Sequence, residues 1–289
     1  MGADSTALVI GATGNVGPNV VRQLISEGVT TRALLLPDDP RAGRLPAEGV
    51  EVFHGDLADP DSLLPALEGV DAVLLMWPFF TLDVETAPAV LAHIERHARR
   101  VVFVSSIGVH IGYEHADNNC HAYLEQLIEK TGLAWTFLQT TGFTANARLS
   151  YAAQIKATGV VRSPYGAAAR SSIHEEDVAA VAVRALTGGD LAGRRLVVTG
   201  PEVLTQVEQV RIIGELIGRE LSWQDVPAEA ALNAMVGAGW PPAYASGALD
   251  YFSQLTEEPE LVTTTVEEVI GRPPRTFREW AAEFADDFR

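Results

Sequence analysis

Cysteine is almost missing from this sequence. Cys120 stands alone among 289 residues, so no intramolecular disulfide can staple the fold, and a reducing compartment is expected. Long apolar runs are missing too, since none approaches the roughly 20 residues of a membrane-spanning helix. Positive charge is scarce, with 21 Lys and Arg against 38 Asp and Glu and a net charge of -17. A surface so acidic repels phosphate backbones, so no nucleic-acid partner is expected. Any anionic ligand has to be held by a local device working against that field, such as a helix N-terminus opened by glycines. A first strand within ten residues leaves no room for the charged and apolar parts of a secretory leader, and the cytoplasm is the expected location.

What the chain does have is alternation. Residues 7–11, 31–36, 50–54, 72–76, 101–105, 134–139 and 195–199 read as strands. Between them Val20, Val21, Leu24 and Ile25 keep helical spacing, as do Val90, Leu91, Ile94 and Ala98. Glu68-Gly69 and Thr131-Gly132 end helices just before a strand, as C-cap glycines do. This order predicts an α/β fold, a doubly wound parallel sheet of the Rossmann kind, built from residues 1–145 with 172–200 returning to the sheet. Residues 146–171 and 201–289 are expected to form a smaller, mainly helical lobe, either a substrate lobe or a structural cap. Its helices are expected near 205–217, 228–238, 242–255 and 276–288, with prolines at the breaks.

The segment from Val9 to Gly17, Val-Ile-Gly-Ala-Thr-Gly-Asn-Val-Gly, follows a predicted strand and opens a predicted helix. Gly11 permits the tight exit from the strand, Gly14 lets backbone approach a pyrophosphate, and Gly17 allows close helix-to-sheet packing. Amides near Asn15 and Val16, with Thr13 beside them, then point at the phosphates. Pro18 does no harm, because first-turn amides have no helical acceptor. The alternative is a purely structural turn. Strand, spacing and helix together point to NAD(H) or NADP(H).

The spacing G-x-x-G-x-x-G resembles the NmrA-like branch of the atypical short-chain dehydrogenases/reductases. The matching features run nearly end to end: 9–17, Gly55-Asp56-Leu57, 69–73, 102–106, 132–138, Gly142-Phe143 with Asn146, 173–179 and 276–281. The resemblance implies that Asp56 contacts the adenine and Leu57 lines its pocket; alternatively Asp56 caps the helix led by Pro60. It also implies that Met76, Trp77 and Pro78 pass the nicotinamide ribose. Trp77, Phe79 and Phe80 either stack on a ring substrate or form a buried apolar loop. Relatives that prefer NADP carry an arginine just after the second strand, where this chain has Leu36. Arg41 and Arg44 lie within loop reach as substitutes. Asp38 and Asp39 favour NAD if they hold ribose hydroxyls, but Pro37 shifts them from the usual site. On family habit NADP is expected, with NAD the alternative.

Most members of the wider superfamily use Tyr-x-x-x-Lys on the fifth helix, one turn bringing a phenol of lowered pKa beside the ribose. Here Asp117 and His121 align with those positions. His121 sits one turn before Leu124 on the sheet-facing side, as either a proton donor near neutral pH or a satisfied packing histidine beside Glu125. Tyr113 is a second candidate acid, provided its loop turns inward. Ser105 and Ser106 end the fifth strand, where relatives place hydroxyls near the reacting group or where serines simply cap structure. His110, His115, Asp117, Cys120 and His121 match no tight ligand spacing, so no metal is expected.

The reading that follows is a reductase moving hydride from NADPH or NADH to a small apolar acceptor of quinone, enone, azo, imine or ketone type. Phe79, Phe143 and Trp240 are the candidate pocket walls. Two alternatives stand: a non-catalytic redox sensor acting through a protein partner, and a tailoring ketoreductase or isomerase. Small molecules are the expected partners, with neither membrane nor nucleic acid, and the chain is expected as a monomer or homodimer.

Overall fold

The computed structural model describes residues 5–289 except 79–81, and for Asp117 the backbone alone. The chain divides into two compact units. Unit 1 holds residues up to Glu114, Asn118–Thr140 and Glu175–Val197; unit 2 holds His115–Asp117, Thr141–His174 and Val198–Arg289.

The main sheet contains β1 (Thr6–Ile10), β2 (Thr30–Leu35), β3 (Val50–His54), β4 (Ala72–Leu75), β5 (Arg100–Ser106), β6 (Ala134–Thr140) and β9 (Arg194–Val198). Their order is β3-β2-β1-β4-β5-β6-β9. The pairs β1–β2, β2–β3, β1–β4, β4–β5 and β5–β6 are parallel. Such a sheet needs helices on both faces, because its strands are apolar on both sides. Leu8, Ile10, Val73, Leu75, Val101, Phe103 and Phe137 point to one face. There they meet Ala66 and Leu67 of α2 (Leu64–Leu67), Val90, Leu91 and Ile94 of α3 (Ala87–His97), and Leu124 and Ile128 of α5 (Ala116–Glu129). The alternate residues Ala7, Val9, Ala33, Leu74, Val102 and Leu138 are equally buried. On that side α1 (Gly17–Ser26) and α7 (Glu175–Thr187) pack against each other and on the strands. Arg100 fixes the end of α7 by donating to the carbonyls of Ala185, Leu186 and Gly188, which the last helical turn leaves open.

The seven predicted strands are all present, each within a residue or two of its expected bounds. The short α4 (Ile107–His110), which starts on Ser106, was not expected, because four residues leave no periodicity to read.

In unit 2, α6 (Ala153–Thr158), α8 (Gln206–Ile217), α9 (Ala228–Gly237), α10 (Pro242–Gln254), α11 (Thr265–Ile270) and α12 (Phe277–Glu283) occur with two small sheets. These pair β7 (Val160–Arg162) with β11 (Ser222–Gln224), and β8 (Ala169–Arg170) with β10 (Leu204–Thr205). Its core gathers Tyr151, Ile155, Val210, Ile213, Phe277 and Trp280. The helix expected to run to 288 ends at Glu283 and continues as a 3₁₀ turn, Ala285–Phe288. A helix and a short extended piece were expected within 150–172; the pairing of these strands and α11 escaped the sequence reading, since segments of two to six residues are too short to show a period. Among the described residues no helix is long and apolar enough to cross a membrane.

Candidate functional site

Strand order reverses between β1 and β4: β2 and β3 extend the sheet to one side, β5 and β6 to the other. The carboxyl ends of strands at such a switch point frame a ligand crevice. The glycine turn lies there. Gly11 leaves β1 at φ +85°, and a Cβ on it would come within 2.9 Å of the Met76 Cβ beyond β4. Gly17 opens α1 so close to the turn that a Cβ would lie 2.6 Å from the Ala12 carbonyl carbon. Gly14 differs. Its amide closes the turn on the Gly11 carbonyl at 3.1 Å, yet a Cβ there would meet nothing within 4 Å but that same oxygen, at 3.3 Å. The amides of Asn15 and Val16 make no hydrogen bond among the described residues; Val16 is the N-cap of α1, where an amide has no helical acceptor. An open glycine face beside two unspent donors at a positive helix end fits a diphosphate.

Just beyond β2 the chain makes a turn in which the Asp39 amide donates to the Leu36 carbonyl at 3.2 Å. Pro37 takes the second position and Asp38, at φ +60°, the third, an arrangement that proline and a short polar residue tolerate. The bend carries Asp39 back to the glycine turn, where Thr13 Oγ1 donates to its Oδ2 at 2.6 Å. Arg41 grips the same carboxylate with two prongs, Nε to Oδ1 at 2.9 Å and Nη2 to Oδ2 at 3.0 Å. The Arg41 guanidinium, and after it the Thr13 hydroxyl, hold the Asp39 carboxyl far below the usual carboxylate range. Pro37, expected to shift Asp38 and Asp39 from the usual ribose site, stands in the turn that brings Asp39 to Thr13. Arg41, expected to reach a coenzyme, is engaged by Asp39. Arg44 is exposed, donates Nη1 to the Thr13 carbonyl at 3.1 Å, and has no acidic partner among the described residues.

The Asp56 carboxylate accepts from the Ala58 amide at 2.9 Å, while Ser62 Oγ accepts from the Asp56 amide at the same distance. It therefore tightens the turn before the 3₁₀ helix Pro60–Leu63, and Leu57 packs half-buried on the core. Met76 abuts Gly11, and Pro78 is exposed. Trp77 is buried in the core beneath the sheet, its indole donating to the Asp83 carbonyl at 2.7 Å. Phe79 and Phe80 fall outside the described residues.

The candidate proton donors sit on β5 and α5. The Ser105 hydroxyl donates to Glu125 Oε1 at 2.5 Å. That buried carboxylate also accepts from Gln139 Nε2 at 3.0 Å and Arg195 Nε at 3.2 Å, tying α5 to β5, β6 and β9. The sequence reading missed this cluster; the one trace was an acid on the sheet-facing side of an amphipathic helix. His121 does lie on that side, its ring 5.9 Å from the Phe103 ring and tilted by 42°. Burial pushes its pKa down to about 3, so the imidazole is neutral near neutral pH. A neutral imidazole is a weaker proton donor than an imidazolium, and the Glu125 carboxylate accepts from Ser105. Tyr113 is half-buried, its amide donating to the Gly108 carbonyl at 2.8 Å. Among the described residues no three His, Cys, Asp or Glu side chains gather as a metal site.

In unit 2, Phe143 bridges Ile173 in parallel register and is half-buried. Trp240 packs on Tyr244 with ring centroids 5.5 Å apart.

Residues 11–188 match the NAD(P)H-binding family. The chain is 37% identical to the (4-alkanoyl-5-oxo-2,5-dihydrofuran-3-yl)methyl phosphate reductase of Streptomyces griseus, over 97% of this chain and 98% of that protein. To the NAD(P)H azoreductase of Xenophilus azovorans it is 34% identical, over 97% and 98%. Among solved structures, the NADPH complex of the quinone oxidoreductase QOR2 from Escherichia coli matches with a TM-score of 0.81, covering 96% of this chain and 99% of that one. At 21% identity that likeness speaks for the fold.

Proposed function

The chain belongs to the NAD(P)H-binding, NmrA-like branch of the atypical short-chain dehydrogenases/reductases, and from that premise we propose that it reduces a small, apolar organic acceptor with NADPH or NADH. The observation that carries this reading is the glycine turn, whose open Gly14 face and free Asn15 and Val16 amides suit a diphosphate. The coenzyme supplies the hydride; the protein supplies position and exclusion of water. NADPH is the favoured coenzyme, since the bacterial quinone oxidoreductase of matching fold is an NADPH complex.

The acceptor follows from what the donors can do. The lysines of the chain, Lys130 and Lys156, have Gln126 and Ala152 four residues upstream, so the sequence contains no Tyr-x-x-x-Lys. His121 is neutral, and the Ser105 proton is directed to Glu125. No strong acid is poised among these groups. Acceptors that tolerate a weak donor, quinone, azo, enone or imine, therefore suit the site better than a simple ketone, whose oxygen needs a proton as hydride arrives. Tyr113 is the remaining candidate donor.

The test is coenzyme oxidation, followed by absorbance, across a panel of quinones, azo dyes, enones and imines. Turnover above the free-coenzyme background supports the enzyme. Tight coenzyme binding with no turnover across the panel would contradict it and favour a regulatory role, which the committed donors also allow.

A further inference from the structure

Beside the Glu125 carboxylate, unit 1 holds a cavity of about 250 Å³ framed by residues of α4, α5, β6 and β9. The glycine turn and Met76 contribute nothing to its lining, and in the sheet β6 stands three places from β1. Gln139 lines it and is 2% exposed. The Gln139 Nε2 donates to Glu125 Oε1 at 3.0 Å, so the carbonyl oxygen of the same amide faces away from the acid. That oxygen, Oε1, is buried and meets no donor among the described residues. Turning the amide over would set its carbonyl against the carboxylate and leave an N–H bare in place of the oxygen, a worse arrangement.

The donors of the cluster turn towards its acids instead. Ser105 Oγ, Gln139 Nε2 and Arg195 Nε all go to Glu125, and Arg195 Nη2 goes to Glu129. A carboxylate accepts about four such bonds, so Glu125 has room for one more. Around the cavity stand two acids, Glu125 and Glu129, against Arg195 and the exposed His110. With that imidazole neutral the cluster carries net negative charge, in a protein of net charge -17. Val109 and Ala122 supply apolar wall, and the exposed Gln126 and His110 leave the cavity reachable from solvent.

We infer that this cavity binds a small primary ammonium ion, which gives one N–H to Gln139 Oε1 and another to the Glu125 carboxylate, and lays a short alkyl chain on Val109 and Ala122. Hydrogen bonds from an ionised donor to a carboxylate are the strong ones, and a buried acceptor gains most from a donor. An alcohol brings a single O–H and no charge. A carboxylate ligand would face the acids and bring no donor at all.

The test is an NMR chemical-shift titration of the isotope-labelled protein without coenzyme, near neutral pH and at fixed ionic strength, with propylammonium, 1-propanol or propionate. Propylammonium is expected to move the Gln139 side-chain amide and the backbone amides of Val109 and Ala122 to a plateau; the alcohol and the acid are not. Ala122→Leu fills the cavity from a helical position and leaves the acid network intact. It should melt like wild type yet bind propylammonium at least about tenfold more weakly. Gln139→Leu, which removes the bare acceptor, should weaken binding by a similar factor. No saturable shift with propylammonium, an equal response to propanol or propionate, or undiminished binding in either variant would overturn the assignment. Since no coenzyme takes part, any of these failures leaves the coenzyme reading standing.

Discussion

His121 is where burial decides chemistry at a single residue. Its folded pKa, about 3, lies below the ordinary 6.5 because desolvation penalises the imidazolium. Between those values the unfolded chain binds a proton that the folded chain refuses. Stability is therefore full above about pH 6.5 and falls as pH drops through that window, by up to about 1.4 kcal/mol per unit. In urea unfolding at pH 7.5 and pH 5, wild type should lose on the order of 2 kcal/mol more than His121→Leu. Equal losses in the two proteins would show that the ring is protonated in the fold. Helical spacing located His121 on the correct face of α5, yet spacing carries no dielectric, so its charge state was not legible. Asp39 teaches the complementary lesson. Its carboxylate was visible as a candidate, but its direction depended on the positive φ of Asp38, which no pattern of side chains encodes.

At the scale of elements, two helices of unit 2 open on capping pairs that the sequence reading did not single out. Thr276 caps α12 by accepting from the Glu279 amide at 3.2 Å, and the Glu279 carboxylate accepts in turn from the Thr276 amide at 2.7 Å. That backbone bond, followed by the Thr276 hydroxyl, lowers the Glu279 pKa. The helix so started buries Phe277 and Trp280 in the core of its unit. Thr276→Ala should therefore cost about 1 kcal/mol, read as a lower urea midpoint, with Thr276→Ser close to wild type. An unchanged midpoint in Thr276→Ala would mean that packing alone holds α12. The strands were legible because apolar residues run through them in short blocks between glycines, as strands buried on both faces do. The network of Ser105, Glu125, Gln139 and Arg195 was not, because its members lie on four elements and meet only when the sheet order is known.

The whole molecule sets acidic charge against an anionic coenzyme, and the account needs the glycine turn to win locally. Composition excluded disulfide stapling and a helical membrane span; the turn residues then indicated what the sheet is built to hold. Acceptor identity was not legible, since it depends on apolar surfaces that many sequences can supply. The most direct measurement is calorimetric titration of the pure protein with NADPH and with NADH, alongside Gly14→Val. The account predicts saturable binding of one coenzyme per chain by the wild type. It also predicts that Gly14→Val shows no binding while its circular dichroism and melting match wild type, since the added side chain fills the face meant for the diphosphate. Absence of saturable binding of both coenzymes by the wild type, or undiminished binding by Gly14→Val, would contradict it.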